Sequence, residues 1–452
     1  GAAMAHELVA ARAFLRRRFP AGGRVLCAVS GGLDSMCLLH FLDTWGRANG
    51  FSAAAAHFNH RLRGELADRD QGFVEDWCAA RGIPCFTGTG DTRALMEAAH
   101  LSLEEAARKL RYAFLEETAR REGFAAILTA HHADDNAETM LLNLIRGTGT
   151  AGLTGIPQVR GNICRPFLRI SRETLADYAK QYEVPHVEDE TTQEDSAARN
   201  ILRHHVFPIL RDINPRAVEN MSFTAGVVAR ESAALEELAS ALAEQAVRTG
   251  GGVSISCSAL LNVPLAVAER AALQLLRAAA GREQDLGAAH VAAVLDLAEQ
   301  GREDARVSLP YGLIAAVHSG VLTICRASRP PAAAVLERDR PLRWGGYTLT
   351  LLENREGTGL ALRPGEEPVQ TAACEPGARL HLPGTNGARS VKRLCLDQRI
   401  PLEKREGLPA IYVGGRLAAV WPLGVDEEFL PVGTACRFIQ IIEQTEENNH
   451  EK

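Results

Sequence analysis

The sequence predicts an α/β fold in which a parallel sheet is covered by helices on both faces, followed by a helical domain and a small α+β domain. Two observations lead to this prediction. Short continuous apolar runs, each followed by polar residues and a helical pattern, lie at 24–30, 52–58 and 125–131. Near residues 214–215 this alternation stops, and a stretch rich in Ala, Leu, Glu and Arg follows. The predicted domains are a sheet domain at 4–215, a helical domain at 216–330 and an α+β domain at 341–445.

Length and composition exclude several classes of protein. A chain of 452 residues exceeds what one hydrophobic core usually serves, so two or three domains are expected. The longest apolar runs are far shorter than the roughly 20 residues of a membrane helix, so we expect a cytoplasmic protein that does not bind a membrane. None of the ten cysteines falls in a C-x-x-C pair, which removes the usual zinc, iron–sulfur and dithiol spacings. Because the net charge is −6, any contact with nucleic acid must come from local basic clusters.

The first apolar run leads into a glycine turn, S-G-G-L-D-S at residues 30–35, at the start of a predicted helix. The backbone N–H groups of such a turn and the helix N-terminus form an anion site, for which phosphate is the natural ligand. The turn lacks both the lysine of the kinase-type P-loop and the spacing of the dinucleotide-binding motif. Because the Asp34 carboxylate would repel phosphate, we expect Mg²⁺ between the two. The Ser30 and Ser35 hydroxyls can donate to phosphate oxygens.

The second apolar run delivers His57 and Asn59 to the carboxyl edge of the predicted sheet, where parallel sheets bind their ligands. The next predicted helix begins with a capping box at Ser102. It carries Arg111 off its apolar stripe, among other basic residues.

The third run ends in a segment rich in histidine and carboxylates, from His131 to Glu138. Asp135 and Glu138 are three residues apart and share a face of the predicted helix. Such carboxylates can hold a second Mg²⁺ position or accept a proton from an attacking amine, while His132 can contact a phosphate or the charge of the transition state. The residue pattern leaves open how the two carboxylates divide these roles.

The rest of the chain is less informative. Residues 216–300 predict helices without strands, closed by a hairpin within 307–324, and residues 328–341 read as a linker. Basic residues cluster at 199–216 and 389–416, which is the local positive charge that RNA binding requires.

The glycine turn resembles the S-G-G-x-D-S loop of the ATP pyrophosphatase (PP-loop) superfamily, whose members cleave ATP between the α and β phosphates. Residues 131–155 resemble the H-H-x-D-D-x-x-E-T block of one family in it, the tRNA(Ile)-lysidine synthetases. Further blocks of that family are matched in order by HFNHRLR (57–63), ARKLRYAF (107–114), RPFL (165–168), RNILRHHVFPIL (199–210) and SVKRLCLDQRIPLEKREGLPAIYVGGRLAAVWPLGVDEE (390–428). The resemblance covers nearly the whole chain and implies a PP-loop domain of the adenine nucleotide alpha hydrolase type.

The resemblance implies a two-step ligase reaction on the isoleucine tRNA with anticodon CAU. ATP adenylates the C2 carbonyl oxygen of the wobble cytidine, and the ε-amine of free lysine then displaces AMP. The implied ATP-binding residues are Ser30, Gly31, Gly32, Leu33, Asp34, Ser35, His57, Asn59 and Arg111. The implied catalytic residues are Asp34, His132, Asp135 and Glu138, of which Asp135 and Glu138 also bind lysine, and Asp34, with Asp135 as a second candidate, holds Mg²⁺. Contacts with phosphate or tRNA are expected from Arg199, Asn200, Arg203, Lys392 and Arg393, and the family resemblance also implies a homodimer.

Two alternative functions remain. A tRNA thiolase of the same superfamily would need a persulfide-bearing cysteine or a C-x-x-C site, and the cysteine spacing speaks against it. A catalytically degenerate RNA-binding protein would not need Asp34, Asp135 and Glu138 together. Pyrophosphate release that depends on both tRNA and lysine would distinguish the predicted ligase from both alternatives.

Overall fold

The computed structural model describes residues 2–62, 64–188, 196–249, 251–281, 286–303, 305–327 and 329–444. The chain divides into two compact units, Gly1–Ala233 and Ala234–Lys452. Arg63 of the HFNHRLR segment and Ser328 of the predicted linker lie outside the described residues. The three domain ranges proposed from the sequence stay a prediction.

The first unit contains a six-stranded sheet in the order β3-β2-β1-β4-β6-β5. Its strands are β1 (Gly23–Ala28), β2 (Phe51–Asn59), β3 (Cys85–Thr89), β4 (Ala126–Leu128), β5 (Val159–Arg160) and β6 (Ile163–Cys164). All neighbouring pairs are parallel except β5 with β6. The three apolar runs of the sequence therefore become β1, β2 and β4, which are adjacent in the sheet. Their carboxyl ends lie side by side at one edge.

Helices connect these strands, precede the first and follow the last. Their bounds are α1 (Ala2–Arg18), α2 (Leu33–Phe41), α3 (Glu65–Arg81), α4 (Thr92–Ala99), α5 (Leu103–Glu122), α6 (Ala133–Arg146), α7 (Thr150–Leu153), α8 (Arg172–Gln181), α9 (Ala197–Ile201), α10 (Phe207–Ile213) and α11 (Ala217–Ala243). A π-helical turn, Leu42–Gly46, continues α2, and a second, Leu202–Val206, joins α9 to α10. Of the capping box predicted for α5, the N-cap bond is present, since Ser102 Oγ accepts the Glu105 N–H at 3.2 Å. Helix α11 begins in the first unit and ends in the second.

The central strands of the sheet are buried on both faces, as the continuous apolar runs predict. Along β1, Val25 and Cys27 point into one core, which contains Met36 of α2. Leu26 points into the other core, which contains Leu115 of α5. Because side chains alternate along a strand, one run of five or six apolar residues supplies both cores. The loops at the carboxyl edge therefore extend from strands that are packed between two hydrophobic cores.

The first part of the second unit combines helices with a five-stranded antiparallel sheet, in the order β7-β8-β11-β10-β9. Its elements are β7 (Val247–Thr249), β8 (Gly252–Ser256), α12 (Cys257–Leu261), α13 (Leu265–Ala280), α14 (Ala288–Gln300), β9 (Arg306–Ser308), β10 (Leu313–His318) and β11 (Val321–Arg326). The hairpin of β10 and β11 lies where the sequence predicts one. The prediction that residues 216–300 lack strands is wrong, because β8 gains its buried environment only by pairing with β11, as in Ile255 opposite Leu322.

The rest of the second unit consists of short strands and two helices, with bounds β12 (Ala334–Val335), β13 (Leu342–Trp344), β14 (Tyr347–Leu352), β15 (Gly359–Leu362), β16 (Val369–Ala372), β17 (Arg379–Leu380), β18 (Arg389–Ser390), α15 (Val391–Asp397), α16 (Leu402–Arg405), β19 (Ala410–Val413), β20 (Arg416–Val420), β21 (Gly424–Val425) and β22 (Arg437–Glu443). They form a five-stranded sheet, β12-β16-β19-β20-β21, a four-stranded sheet, β13-β14-β22-β15, and the pair β17-β18. This is the predicted small α+β arrangement. Within the described ranges, no helix combines the length and the apolar character needed to cross a membrane.

Candidate active site

The glycine turn after β1 is held in shape by its own hydroxyls. The Gly32 N–H donates to Ser30 Oγ at 3.2 Å, and the Ser30 N–H donates to Ser35 Oγ at 3.1 Å. Gly31 has a φ of +97°, which an L side chain rarely adopts, and its carbonyl accepts the Val187 N–H at 2.9 Å. Gly32 caps α2 without a side-chain hydrogen bond, so no capping side chain competes with an anion for the backbone N–H groups of the first turn.

Asp34, in that first turn, faces the end of β4. Its Oδ2 lies 3.2 Å from Nε2 of His132. Its Oδ1 is buried and has no hydrogen-bond partner among the residues that the structure describes. Burial works against ionisation of this carboxyl, but His132 and Arg172 outweigh it and lower the pKa of Asp34. Asp34 is therefore an ionised carboxylate with one unused oxygen.

His132 caps helix α6 and joins it to the glycine turn. Asp135 Oδ2 accepts the His132 N–H at 3.0 Å, and the Asp135 N–H lies 3.3 Å from His132 Nδ1, which accepts it in the neutral imidazole and thereby completes a capping box. Burial disfavours a charged imidazole, yet the carboxylates of Asp135 and Asp34 raise the pKa of His132 to about 10. Nε2 carries a hydrogen in both the singly and the doubly protonated form, and it points at Asp34. Burial, with the charges of Asp34 and Glu138, raises the pKa of Asp135.

Glu138 lies one turn further along α6, where two arginines, one from α9 and one from the π-helical turn after it, surround its carboxylate. Arg203 donates from Nε to Oε1 at 2.9 Å and from Nη2 to Oε2 at 3.0 Å. Arg199 donates to Oε2 at 3.4 Å and to Thr139 Oγ1 at 2.9 Å. The Glu138 side chain is 4% exposed, so this is a buried, bidentate ion pair. Its carboxylate is already neutralised by protein groups.

The carboxyl end of β2 supplies His57 and Asn59. The Nδ1 of His57 donates to the Val29 carbonyl at 2.8 Å, and burial lowers the pKa of this imidazole, which is therefore neutral at pH 7 with Nε2 as an acceptor. The Asn59 amide donates to Asp68 at 3.0 Å and to Gln71 at 3.1 Å, and its oxygen accepts the Arg61 N–H. Asn59 thus ties β2 to α3.

These loops enclose a cavity of about 990 Å³ at the carboxyl edge of the sheet. The sequence-predicted residues that line it are Ser30, Gly32, Leu33, Asp34, Ser35, His57, Asn59, Arg111, His132, Asp135, Glu138, Arg199 and Arg203. Gly31 and Asn200 do not line it, and Asn200 Oδ1 is buried without a partner among the described residues. Within the described ranges, no group of three or more His, Cys, Asp or Glu side chains forms a dedicated metal cluster.

The predicted Arg111 belongs to an aromatic and arginine cluster at the cavity wall, whose other members were not predicted as part of the site. These other members are Arg108, Tyr112, Arg160 and Arg165. The guanidinium carbons of Arg111, Arg108 and Arg160 lie 4.7, 5.4 and 5.4 Å from the ring centre of Tyr112. Arg165, at 2% exposure, donates to the Pro157 carbonyl at 2.7 Å and also lines the cavity. The segments 107–114 and 165–168, which carry Tyr112 and Arg165, are signals from which both could have been found. Sequence offers no comparable signal for Arg160.

Lys392 and Arg393 lie in the second unit, in the first turn of α15, and both are exposed. Arg393 pairs with Asp397 at 3.2 Å, and Arg389 lies 3.6 Å from the same carboxylate. Part of the basic cluster at 389–416 is therefore neutralised by an acidic neighbour. Within the described ranges, Lys392 forms no such ion pair.

Comparison with known proteins agrees with this architecture. Residues 7–210 match the model of the PP-loop domain, and residues 369–438 match that of the TilS substrate C-terminal domain. The tRNA(Ile)-lysidine synthase of Geobacillus kaustophilus is 31% identical over 88% of this chain and 91% of its own length. Those of Geobacter sulfurreducens and Symbiobacterium thermophilum are each 31% identical, over 90% and 91% of this chain and 89% and 92% of their own lengths. These matches span both units, and the chain belongs to the tRNA(Ile)-lysidine synthase family.

Proposed function

We propose that this chain joins lysine to the wobble cytidine of the isoleucine tRNA with anticodon CAU. In the first step the C2 carbonyl oxygen of the base attacks the α-phosphorus of ATP, and the bond to pyrophosphate breaks. In the second step the ε-amine of lysine attacks C2, AMP leaves, and the amine loses a proton. One observation supports this assignment most: the Nε2 of His132 lies 3.2 Å from Asp34 and 3.5 Å from Asp135, beside an uncapped helix N-terminus in one cavity.

ATP is assigned to the glycine turn, with its β and γ phosphates at the first turn of α2. Mg²⁺ fits here because Asp34 Oδ1 is a buried oxygen without a described partner, and Mg²⁺ prefers one or two carboxylates together with substrate phosphates. Once bound, the ion would supply positive charge to the departing pyrophosphate. His132 adds a hydrogen-bond donor from the side of β4, and it holds Asp34 and Asp135 at fixed positions.

Asp135 is the carboxylate that we assign to the lysine amine. Burial raises its pKa, which makes it a better proton acceptor than an ordinary aspartate, and it lines the cavity. In this proposal Glu138 acts by holding Arg203 and Arg199 in place, since its oxygens already accept their N–H groups. Arg203 then provides a fixed guanidinium for a phosphate oxygen.

The tRNA is assigned to basic residues in both units. The second unit supplies Lys392 and Arg393, which we propose contact backbone phosphates. The homodimer implied by the family resemblance is part of the same proposal, and sedimentation of the full chain tests it. We place the reaction in the cytoplasm, where tRNA, lysine and ATP are available together.

Pyrophosphate release from γ-labelled ATP tests this function. We expect release only when the isoleucine tRNA is present, and conversion of its wobble cytidine to lysidine, read by mass spectrometry, only when lysine is added. Stable incorporation of sulfur in place of lysine would assign the chain to tRNA thiolation. Binding of tRNA without any pyrophosphate release would instead support an RNA-binding protein.

A further inference from the structure

Outside the catalytic cavity, two arginines converge over a glycine of helix α11. A Cβ built on Gly226 would lie 3.5 Å from Nη1 of Arg230 and 3.7 Å from Nη2 of Arg169. Both guanidiniums therefore border the same small space, which the missing side chain of Gly226 keeps open. All three residues belong to the first unit.

The electrostatics of this pair are unusual for a structural contact. Arg169 is half-buried and donates from Nη1 to the Ser222 carbonyl at 3.0 Å. Within the described part of the chain, no carboxylate lies at ion-pair distance from Arg169 or Arg230. Burial and repulsion from Arg230 lower the pKa of Arg169. An anion placed between the two guanidiniums would replace this repulsion by attraction to both.

The same helix face also presents an aromatic ring to solvent. Phe223 is 72% exposed, and the successive positions 223, 226 and 230 are three and four residues apart, so they share one face of α11. An exposed ring beside paired arginines suits RNA, because unpaired bases stack on aromatic side chains while guanidiniums bind phosphate. A free phosphate ion would make no use of the ring.

The segment that carries Arg169 leads directly to the catalytic cavity. Arg169 precedes Ile170, whose carbonyl accepts the Ala133 N–H at the start of α6, at 2.8 Å. Arg172, three residues after Arg169, lines the cavity. RNA bound over Gly226 could therefore continue toward the site where a base reacts.

We propose that Arg169, Arg230 and Phe223 form a contact site for a backbone phosphate and an adjacent base of the tRNA, separate from the catalytic cavity. This site, the Gly226 site, rests on the proposed function, because its ligand is that enzyme's substrate.

The full chain with two substitutions tests the Gly226 site. Arg230→Gln removes one exposed guanidinium. Gly226→Glu places a carboxylate between both, and it should not disrupt the fold, because its Cβ contacts are of ordinary length and glutamate favours a helix. Arg120→Gln is the matched control for charge, since Arg120 is an exposed arginine on α5 that pairs with Glu117.

Equilibrium binding of the tRNA is measured at several salt concentrations. Loss of one phosphate contact should weaken binding about eightfold at about 0.1 M salt and reduce the salt slope by about 0.9, and loss of two should weaken binding about sixtyfold. Arg120→Gln should bind as the wild type does. Variants that keep wild-type affinity and slope would overturn the Gly226 site.

Phe223→Ser separates RNA stacking from a protein contact. We expect weaker tRNA binding with an unchanged sedimentation coefficient of the free protein. A change of oligomeric state with unchanged tRNA affinity would make this face a protein–protein surface and overturn the proposal. If the wild type itself released no pyrophosphate, the proposed function would fail, whereas an active wild type with unaffected variants counts against the Gly226 site alone.

Discussion

Replacement of Glu138 by glutamine distinguishes its two candidate roles. Glutamine keeps the shape of the side chain but removes the charge that Arg203 and Arg199 share. It also turns an NH₂ group toward guanidinium N–H groups, where one donor faces another. If Glu138 acts by holding Arg203, the step that needs Arg203 should suffer. If Glu138 binds the lysine amine, the affinity for lysine should fall instead.

The structure indicates how far the adenylation rate should fall if Glu138 acts by holding Arg203. Arg203 makes hydrogen bonds of 2.9 and 3.0 Å to Glu138, and hydrogen bonds to charged groups are worth about 1.5–3 kcal/mol each. The Arg203 side chain is 25% exposed, so water replaces part of what is lost. We therefore take about 2–3 kcal/mol for the pair, which corresponds to an adenylation rate about 30- to 150-fold lower.

Single-turnover pyrophosphate release at saturating ATP and tRNA measures adenylation, and the lysine dependence of lysidine formation measures the second step. For Glu138→Gln we expect slow pyrophosphate release and a KM for lysine within about twofold of wild type. For Asp135→Asn we expect the reverse, with a raised KM for lysine as the main effect. Urea unfolding of both variants controls for loss of the fold.

A double-mutant cycle completes the test. Because Glu138 and Arg203 act as one unit, Glu138→Gln combined with Arg203→Gln should be little worse than the more severe single variant. Normal pyrophosphate release by Glu138→Gln, together with a large rise in the KM for lysine, would refute the positioning role and make Glu138 the lysine ligand.

Three further predictions follow from the same geometry. Asp34→Asn should abolish pyrophosphate release, measured with labelled ATP, while tRNA affinity in a filter-binding assay stays within about twofold; a parallel loss of tRNA binding would contradict its role at the phosphates. Lys392→Ala should reduce the salt slope of tRNA binding by about 0.9, and Arg393→Ala by less, since Arg393 is partly neutralised by Asp397; unchanged slopes would remove α15 from the tRNA interface. Because burial lowers the pKa of His57, its contribution to stability is complete above about pH 6.5 and is lost as the pH falls below that value; urea unfolding between about pH 5 and 7 should be less pH-dependent for His57→Asn, and equal slopes would argue against a buried neutral imidazole.

The sequence by itself determined the carboxyl edge of the sheet in the first unit and the polar residues that lie there. Apolar runs of strand length, each followed by a turn and a helix, predict a parallel sheet, and such a sheet brings the ends of its strands together. The glycine turn with Asp34 and the segment from His132 to Glu138 are local patterns of this kind. The structure has both in the same cavity.

Contacts between distant segments could not be predicted in this way. The partners of Glu138 are Arg199 and Arg203, 61 and 65 residues later in the chain, and only the packing of α9 and its π-helical turn against α6 brings them together. The hairpin at 247–256 was missed for the same reason, because β8 is stabilised by β11, whose residues lie far along the chain.

The tertiary structure therefore decided which polar groups are already paired and which are left for a ligand. Ser30 and Asn59 were natural candidates for ligand contacts, yet both side chains already form hydrogen bonds within the protein. Asp34, in contrast, keeps an oxygen without a described partner. Backbone propensity and hydrophobic periodicity are local and can be read along the chain. The pairing of a charge depends on what lies within about 4 Å of it in space, and that is set only when the whole unit has folded.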